Sequence, residues 1–449
     1  AESPRSGRKD ALQAVESAKA AQPAWEALGG PGRSDILMRA AKIIRERAES
    51  IAREFTMEEG KPIRDSRAEV YRAAQIFEYY AAEGWRAGGD TLPSARKDVF
   101  LHTLRIPLGV VAVLTPWNFP IAIPSWKIAP ALIMGNAVVF KPASNTPLTA
   151  FRLVEALHDA GLPPGVLNTV VGSGGEVGEE FVTNPDVAAV TFTGSTEVGL
   201  SVYQKASARL ARVQCEMGGK NPLVVLEDAD LDLAASIAVE GAFNSTGQKC
   251  SATSRVIVQR SVAQGLADRI IARSKALKVG DGLEEDTYVG PVVDEHQYND
   301  VLRYIDIGTR EGASLQLDGR RSRTAADGYF VGPTVFTDCR TEMVIAQEEI
   351  FGPVVAILPA DSYEEAMKIA NDTKYGLTAS ICTRSLSKAN RFAREMKAGT
   401  VGVNVPTAGI ETQAPFGGQG QSGSPFKELG TAAINFYSTV KAVAMYYGE

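Results

Sequence analysis

The sequence predicts an α/β fold built on open, mostly parallel sheets of the Rossmann type, and three observations carry that expectation. Short apolar runs alternate with helical stretches from Gly109 onward, a second series of the same kind starts after Gly219, and residues 10–83 hold apolar positions at helical spacing. Such alternation puts helices on both faces of a parallel sheet and leaves a ligand crevice beyond the carboxyl ends of the strands.

Taken in order, Leu37, Ala41, Ile44, Ala48, Ile51 and Phe55 recur three or four residues apart with Arg and Glu between them, so residues 10–83 read as several amphipathic helices. Residues 100–106 alternate like a strand, and 109–114 is an apolar run suited to a buried parallel strand. The first α/β unit continues with a strand at 137–141, a helix at 149–160, a strand at 167–171, a helix start near Glu176 and a strand at 188–192. The second has strands at 222–226, 254–258, 354–358 and 378–383 and helices at 231–243 and 363–371. A hairpin around 89–106 and a C-terminal strand near 433–443 are edge candidates that could extend a partner's sheet, so a homodimer or homotetramer is expected.

Composition narrows the function. With 449 residues, 45% of them hydrophobic and 22% charged, the chain can bury a large core in two or three domains. The net charge of −6 is spread without a basic block, which gives no reason to expect nucleic acid or an anionic membrane as partner and leaves a small molecule as the default. Cys215, Cys250, Cys339 and Cys382 lie far apart with no CxxC pair, which argues against a zinc site or disulfide framework and fits a reducing, cytoplasmic setting. His102, His158 and His296 stand beside no other plausible ligand, so no metal is expected and acid/base work falls to carboxylates. The most apolar stretch, 120–140, is interrupted by Pro124, Lys127, Pro130 and Gly135 and fails as a span of ~20 residues. The chain opens on Ala1 and runs almost directly into a helix-like pattern, from which a preceding N-terminal piece is expected.

Three short stretches carry the chemistry. Cys250 sits in Gly247-Gln248-Lys249-Cys250-Ser251, a polar context unlike that of a core cysteine. Glu216 follows a strand-like segment and precedes Gly218-Gly219, a place for a general base, although an ordinary surface glutamate fits the spacing too. Asn118, in Thr115-Pro116-Trp117-Asn118-Phe119-Pro120, offers a side-chain amide to an oxyanion, or serves as a turn former between prolines. A bare aldehyde cannot readily release hydride; a thiolate that adds first creates the tetrahedral oxyanion from which hydride departs, leaving a thioester for water to cleave. The strand-and-turn 190–199 offers helix N-terminal N–H groups to a pyrophosphate, while Gly172-Ser173-Gly174-Gly175 reads equally as a turn.

Together with Glu348-Glu349-Ile350-Phe351-Gly352-Pro353, these stretches resemble the aldehyde dehydrogenase superfamily in order and spacing, from about residue 10 to the C-terminus. The resemblance implies Cys250 as nucleophile, Glu216 as the base that activates water, Asn118 as oxyanion donor beside the Cys250 N–H, and Lys127 as a further catalytic residue. It implies a dinucleotide site formed by Thr115, Pro116, Trp117, Lys141, Ser144, Gly174, Gly178, Phe192, Gly194, Ser195, Val198, Met217, Glu349 and Phe351. Phe119, Trp126, Lys249, Ser251 and Ile410 are expected at the substrate, with Lys249 either a carboxylate anchor or a solvated lysine. The expected division is a dinucleotide-binding domain at 1–88 and 108–218, a catalytic domain at 219–421, and a small β oligomerisation element at 89–107 and 422–449.

Ser144 stands where NAD-preferring relatives often carry a ribose-binding glutamate, so NADP is the expected cofactor, with NAD possible. Met217 replaces a usual Leu at little expected cost. Residues 121–132, 403–409 and 436–441 are similar to family members that oxidise α-ketoglutaric semialdehyde; some that act on succinic semialdehyde carry arginines where this chain has Trp126 and Asn244. Succinic semialdehyde and broader aldehyde specificity are the alternatives. A CoA-acylating enzyme or an acyl phosphate reductase would not need Glu216, and a silent binding protein would not need Cys250, Glu216 and Asn118 together.

Overall fold

The computed structural model describes residues 4–322, 327–409 and 411–448. Four helices come first: α1 (Arg8–Ala27), α2 (Gly29–Glu46), α3 (Ala48–Glu59) and α4 (Ile63–Glu83). Their helical spacing turns Leu37, Ala41 and Ile44 of α2, Ile51 of α3 and Val70 and Phe77 of α4 into one buried core. Gly60 ends α3 at φ 91°, a left-handed turn that favours glycine and delivers Lys61 into the interior.

A hairpin of β1 (Thr91–Leu92) and β2 (Val99–Pro107) follows. The strands β3 (Val110–Leu114), β4 (Ala137–Lys141), β5 (Leu167–Thr169), β6 (Val187–Thr193) and β7 (Arg212–Glu216) then form a parallel sheet in the order β5-β4-β3-β6-β7. The chain winds from β3 first to one side and then to the other, so the crevice of the sheet opens at the carboxyl end of β3, where Thr115 to Asn118 lie. The helices α5 (Ala122–Ile133), α6 (Pro147–Asp159), α7 (Glu179–Thr183) and α8 (Thr196–Ser207) connect these strands.

The second unit holds β8 (Asn221–Val225), β9 (Thr253–Gln259), β10 (Ser314–Leu317), β11 (Thr334–Thr337), β12 (Val354–Ala360), β13 (Thr378–Cys382) and β14 (Thr400–Val403). Their order is β10-β11-β12-β9-β8-β13-β14, with only β10 antiparallel to its neighbour. Between β8 and β9 runs α9 (Leu231–Phe243), then a tight turn in which Ser245 and Thr246 are forced to φ 52° and 56°. That strained turn aims the following Gln248-Lys249-Cys250 segment at the first unit. Last, β15 (Ser438–Tyr446) pairs antiparallel with β2 along nine residues, from Ser438 against Pro107 to Tyr446 against Val99.

Two expectations need correction. The C-terminal strand does not start at Ala433: Gly430–Phe436 is a helix, because Ala433, Ile434, Phe436 and Tyr437 fall on one helical face and are buried. The helix expected near Glu176 begins as a π-turn, Gly174–Gly178, before α7. Among the described residues no helix is long and apolar enough to cross a membrane, and no cluster of His, Cys, Asp or Glu could hold a metal.

Candidate active site

Exposure separates the four cysteines: Cys215, Cys339 and Cys382 are buried, whereas Cys250 is partly exposed on the wall of a cavity of about 340 Å³. Acidity does not separate them, since burial pushes every one of these thiols up to about 12. At Cys250 the carboxylates of Glu349, Glu216 and Glu428 add to the effect of burial, and the Ser251 N–H opposes it. The Asn221 side-chain amide donates to the Cys250 carbonyl at 2.8 Å and to that of Ala252 at 2.9 Å, fixing the backbone of this loop.

Glu216, the last residue of β7, is buried and not a surface glutamate. Its Oε2 accepts from the Gly418 N–H at 2.9 Å and its Oε1 from the Gln214 amide at 3.0 Å. Gly417, at φ 148°, lies so close that a β-carbon there would collide with Glu216 Oε1. Burial, then the neighbouring charge of Glu428, raises the Glu216 carboxyl well above its ordinary range. Gln214 continues inward: its Oε1 accepts from Thr191 Oγ1 at 2.6 Å and Lys127 Nζ at 3.3 Å, and Lys127 pairs with Glu428. Lys127 is therefore enclosed beneath Glu216 and forms no part of the cavity wall.

Asn118 joins the two halves of the site. Its Nδ2 donates to the Gln248 carbonyl at 2.9 Å, tying the loop after β3 to the loop that carries Cys250 and leaving its other amide hydrogen uncommitted among the described residues. The neighbouring Phe119 lines the cavity together with Trp126, Lys249 and Ser251; Ile410 lies outside the described residues. Lys249 is buried, and burial lowers its ammonium to about 8. It donates at 3.3 Å to Asn244 Oδ1 and at 3.5 Å to the Glu240 carbonyl, and no ion pair forms on it among the described residues. Asn244 is itself held by Asp65 at 2.9 Å.

The carboxyl ends of β3, β4 and β6 bear the features a dinucleotide needs. Ser195 caps α8 by accepting from Val198 N at 3.5 Å, Val198 is exposed, and the hydroxyls of Thr115 and Thr193 are buried without partners among the described residues. The Phe192 ring lies under Gly194 and the Met217 thioether under Gly199, so side chains there would fill the approach to the sheet. Gly174 opens onto free space, and Gly178 packs on Leu114 and Lys141. Lys141 donates to the Pro142 carbonyl at 3.1 Å, and Ser144 Oγ, exposed, to that of Gly172 at 3.3 Å. On the same loop as Thr115 and Pro116, Trp117 meets Phe351 edge to face, with centroids 5.4 Å apart. Glu349 Oε1 accepts from Gly219 N at 3.0 Å; burial raises this carboxyl to about 7, and a β-carbon on Gly218 would overlap it. These groups fit a nicotinamide dinucleotide, supplying hydroxyl-binding and anion-binding positions together with an aromatic pair.

The sequence profile of the aldehyde dehydrogenase family matches residues 1–443. The chain belongs to the aldehyde dehydrogenase family. It is 47% identical to the α-ketoglutaric semialdehyde dehydrogenase of Bacillus subtilis over 437 residues, 97% of this chain and 90% of that protein. It is 44% identical to the 2,5-dioxopentanoate dehydrogenase of Saccharolobus solfataricus over 439 residues, 97% and 91% of the two chains. Among solved structures, betaine aldehyde dehydrogenase from Staphylococcus aureus in complex with NAD⁺ superposes with a TM-score of 0.95 at 36% identity, covering 98% of this chain and 88% of that one.

As an aldehyde dehydrogenase the chain is an oxidoreductase acting on aldehydes, and its fold is the one its relatives share. The residues around the centre that sequence reasoning missed are Lys61, Asp65, Glu69, Gln214, Gly418 and Glu428. Only Lys61, between Gly60 and Pro62 at a helix break, interrupts its local pattern; the others are polar residues whose neighbours come from distant segments.

Proposed function

We propose that this enzyme oxidises a semialdehyde bearing a carboxylate at its far end, α-ketoglutaric semialdehyde before succinic semialdehyde, with NADP⁺ as the favoured acceptor and NAD⁺ as a second. The observation that carries the substrate class is Lys249, a buried cation without an ion-pair partner among the described residues, on the wall of the cavity that Cys250 also lines. A carboxylate arriving there would meet an ammonium already stripped of most of its water. A trimethylammonium group beside Lys249 would meet like charge there, while Asp65, Glu69 and Glu240 with Arg72 make the rest of the cavity wall mixed in sign. The names of the bacterial and archaeal relatives point the same way.

In this reading Cys250 Sγ, as thiolate, adds to the aldehyde carbon, and the Asn118 amide and the Cys250 N–H receive the oxyanion. A bound nicotinamide supplies the hydride acceptor and a positive charge that favours the thiolate. Thr115, Pro116, Trp117, Lys141, Ser144, Gly174, Gly178, Phe192, Gly194, Ser195, Val198, Met217, Glu349 and Phe351 would hold the cofactor. Glu216 takes a proton from water as its oxygen attacks the thioester carbon; the carbon–sulfur bond breaks and the acid leaves. Lys127 serves this step from beneath, by fixing the charge of Glu428 next to Glu216. Residues 1–88 and 108–218 act as the dinucleotide-binding domain, 219–421 as the catalytic domain, and 89–107 with 422–449 as the oligomerisation element. The outer edge of β15, with exposed Val440 and Met445, pairs with a second copy to give a homodimer or homotetramer. The enzyme works in the cytoplasm.

The test is a panel of initial rates with α-ketoglutaric semialdehyde, succinic semialdehyde, betaine aldehyde and an uncharged aliphatic aldehyde, each with NADP⁺ and NAD⁺. The two carboxylate-bearing substrates should show the highest kcat/KM. Equal or better use of the uncharged or cationic aldehyde overturns the assignment.

A further inference from the structure

Beneath the substrate cavity lies a buried ion pair, Lys61 Nζ to Glu69 Oε2 at 2.7 Å, with both side chains almost wholly enclosed. Lys61 comes off the left-handed turn that ends α3, and Glu69 from the second turn of α4. The same Nζ donates to the backbone carbonyl of Asn118 at 2.5 Å and sits 4.0 Å from the centroid of the Phe119 ring. The second oxygen of Glu69 accepts from the N–H groups of Ile121 at 3.2 Å and Ala122 at 3.1 Å, which open α5 and have no intrahelical partner. One pair thus grips residues 118–122 at both ends: the lysine at the residue whose amide faces the cysteine loop, the glutamate at the helix that follows.

Taking two charges out of water costs more than an exposed pair returns, so stability alone is a weak account of this arrangement. Both oxygens of Glu69 are engaged, which also removes a free carboxylate from a cavity wall that Lys249 shares. We propose that Lys61 is a positioning residue for the reaction: paired with Glu69, it fixes the Asn118 loop so that the uncommitted amide hydrogen is held toward the developing oxyanion. The inference rests on the reading of Asn118 as an oxyanion donor, and the experiment separates the two.

Single-turnover hydride transfer and steady-state constants are measured for Lys61→Met, Asn118→Ala and the double variant, with Glu69→Gln as a milder variant that keeps the packing. Asn118→Ala should slow hydride transfer by ~10²–10³-fold, the usual cost of one oxyanion donor. Lys61→Met should slow it by roughly 10- to 100-fold, as expected for a displaced reacting group, with substrate KM and cofactor Kd changed by about twofold or less. The double variant should be hardly slower than Asn118→Ala, because the lysine acts through that amide. Glu69→Gln should show a smaller loss with the same non-additivity, and it carries the test if Lys61→Met does not fold. Additive losses, or wild-type hydride transfer in Lys61→Met, overturn the inference. Wild-type hydride transfer in Asn118→Ala instead overturns the reading of Asn118.

Discussion

The two flanks of Cys250 differ in how their buried lysines are paired. On the side of Glu216, the carboxylate, Gln214, Thr191, Lys127 and Glu428 form a linked network in which the buried ammonium has a carboxylate partner, although Glu428 Oε2 has no hydrogen bond among the described residues. On the side of the cavity, Lys249 has, among the described residues, two long hydrogen bonds to neutral oxygens and no ion pair. A linked buried network holds its shape before anything binds, whereas a buried cation that feels Asp65 and Glu240 only at a distance can still gain a direct anionic partner from a ligand. The first flank has the character of catalytic machinery, the second of a receptor for charge.

Removing the group between the flanks should have the largest effect. Cys250→Ala should lower aldehyde-dependent formation of reduced cofactor by at least ~10⁴-fold, since the step that creates the oxyanion is gone. Substantial turnover in that variant, followed by absorbance of the reduced nicotinamide, would place the chemistry elsewhere. A change on the Glu216 flank should act later in the cycle. Glu216→Gln should leave a rapid burst of reduced cofactor and depress steady-state turnover by ~10²–10⁴-fold. The proton sign is definite: burial raises the Glu216 carboxyl, so the working carboxylate is gained as pH rises, and deacylation-limited kcat should climb with pH above the ordinary carboxylate range. In the glutamine variant that limb should vanish. Stopped-flow traces without a burst would contradict the separation of roles.

The open flank should respond to the substrate's charge. Lys249→Met should raise KM for a carboxylate-bearing semialdehyde by roughly 10- to 100-fold, the worth of a hydrogen bond to a charged group, and leave an uncharged aldehyde nearly unaffected. Because the ammonium titrates at about 8, KM of the wild type for the anionic substrate should rise above that pH as the charge is lost. Parallel losses for charged and uncharged aldehydes would show that Lys249 only packs.

The same contrast explains what was legible in the sequence. Strands 137–141 and 354–358 announce themselves as short continuous apolar runs, and helices 231–243 and 363–371 by apolar side chains at helical spacing. Cys250, Glu216 and Asn118 are recognisable because short motifs surround them. Glu428 and Gln214 are not, since they meet Lys127 only after β6, β7 and the segment before the last helix come together. The helix at 430–436 was hidden for a related reason: Ala433, Ile434 and Phe436 suit either a strand or a helix, and burial decides between them. Lys249 was visible as a residue but not as an unpaired charge, because pairing is a property of the assembled cavity.

The smallest effect concerns a third, exposed region, where the rules that govern both flanks of Cys250 weaken. Ser144 is open to solvent with its hydroxyl on the Gly172 carbonyl, and Lys141, half-buried on the same turn, has its ammonium lowered by burial. A serine hydroxyl can turn to donate to a 2′-phosphate and an adjacent lysine can offset its charge, whereas a glutamate there would repel it and favour free ribose hydroxyls. Water screens an interaction at this exposure, so the coupling is ~1–2 kcal/mol, far below the buried cases. Ser144→Glu should therefore lower kcat/KM with NADP⁺ by roughly tenfold while NAD⁺ changes by about twofold or improves, and the ratio should shrink as salt is added. Equal losses with both cofactors, or a ratio indifferent to ionic strength, would show that Ser144 does not sense the 2′ position.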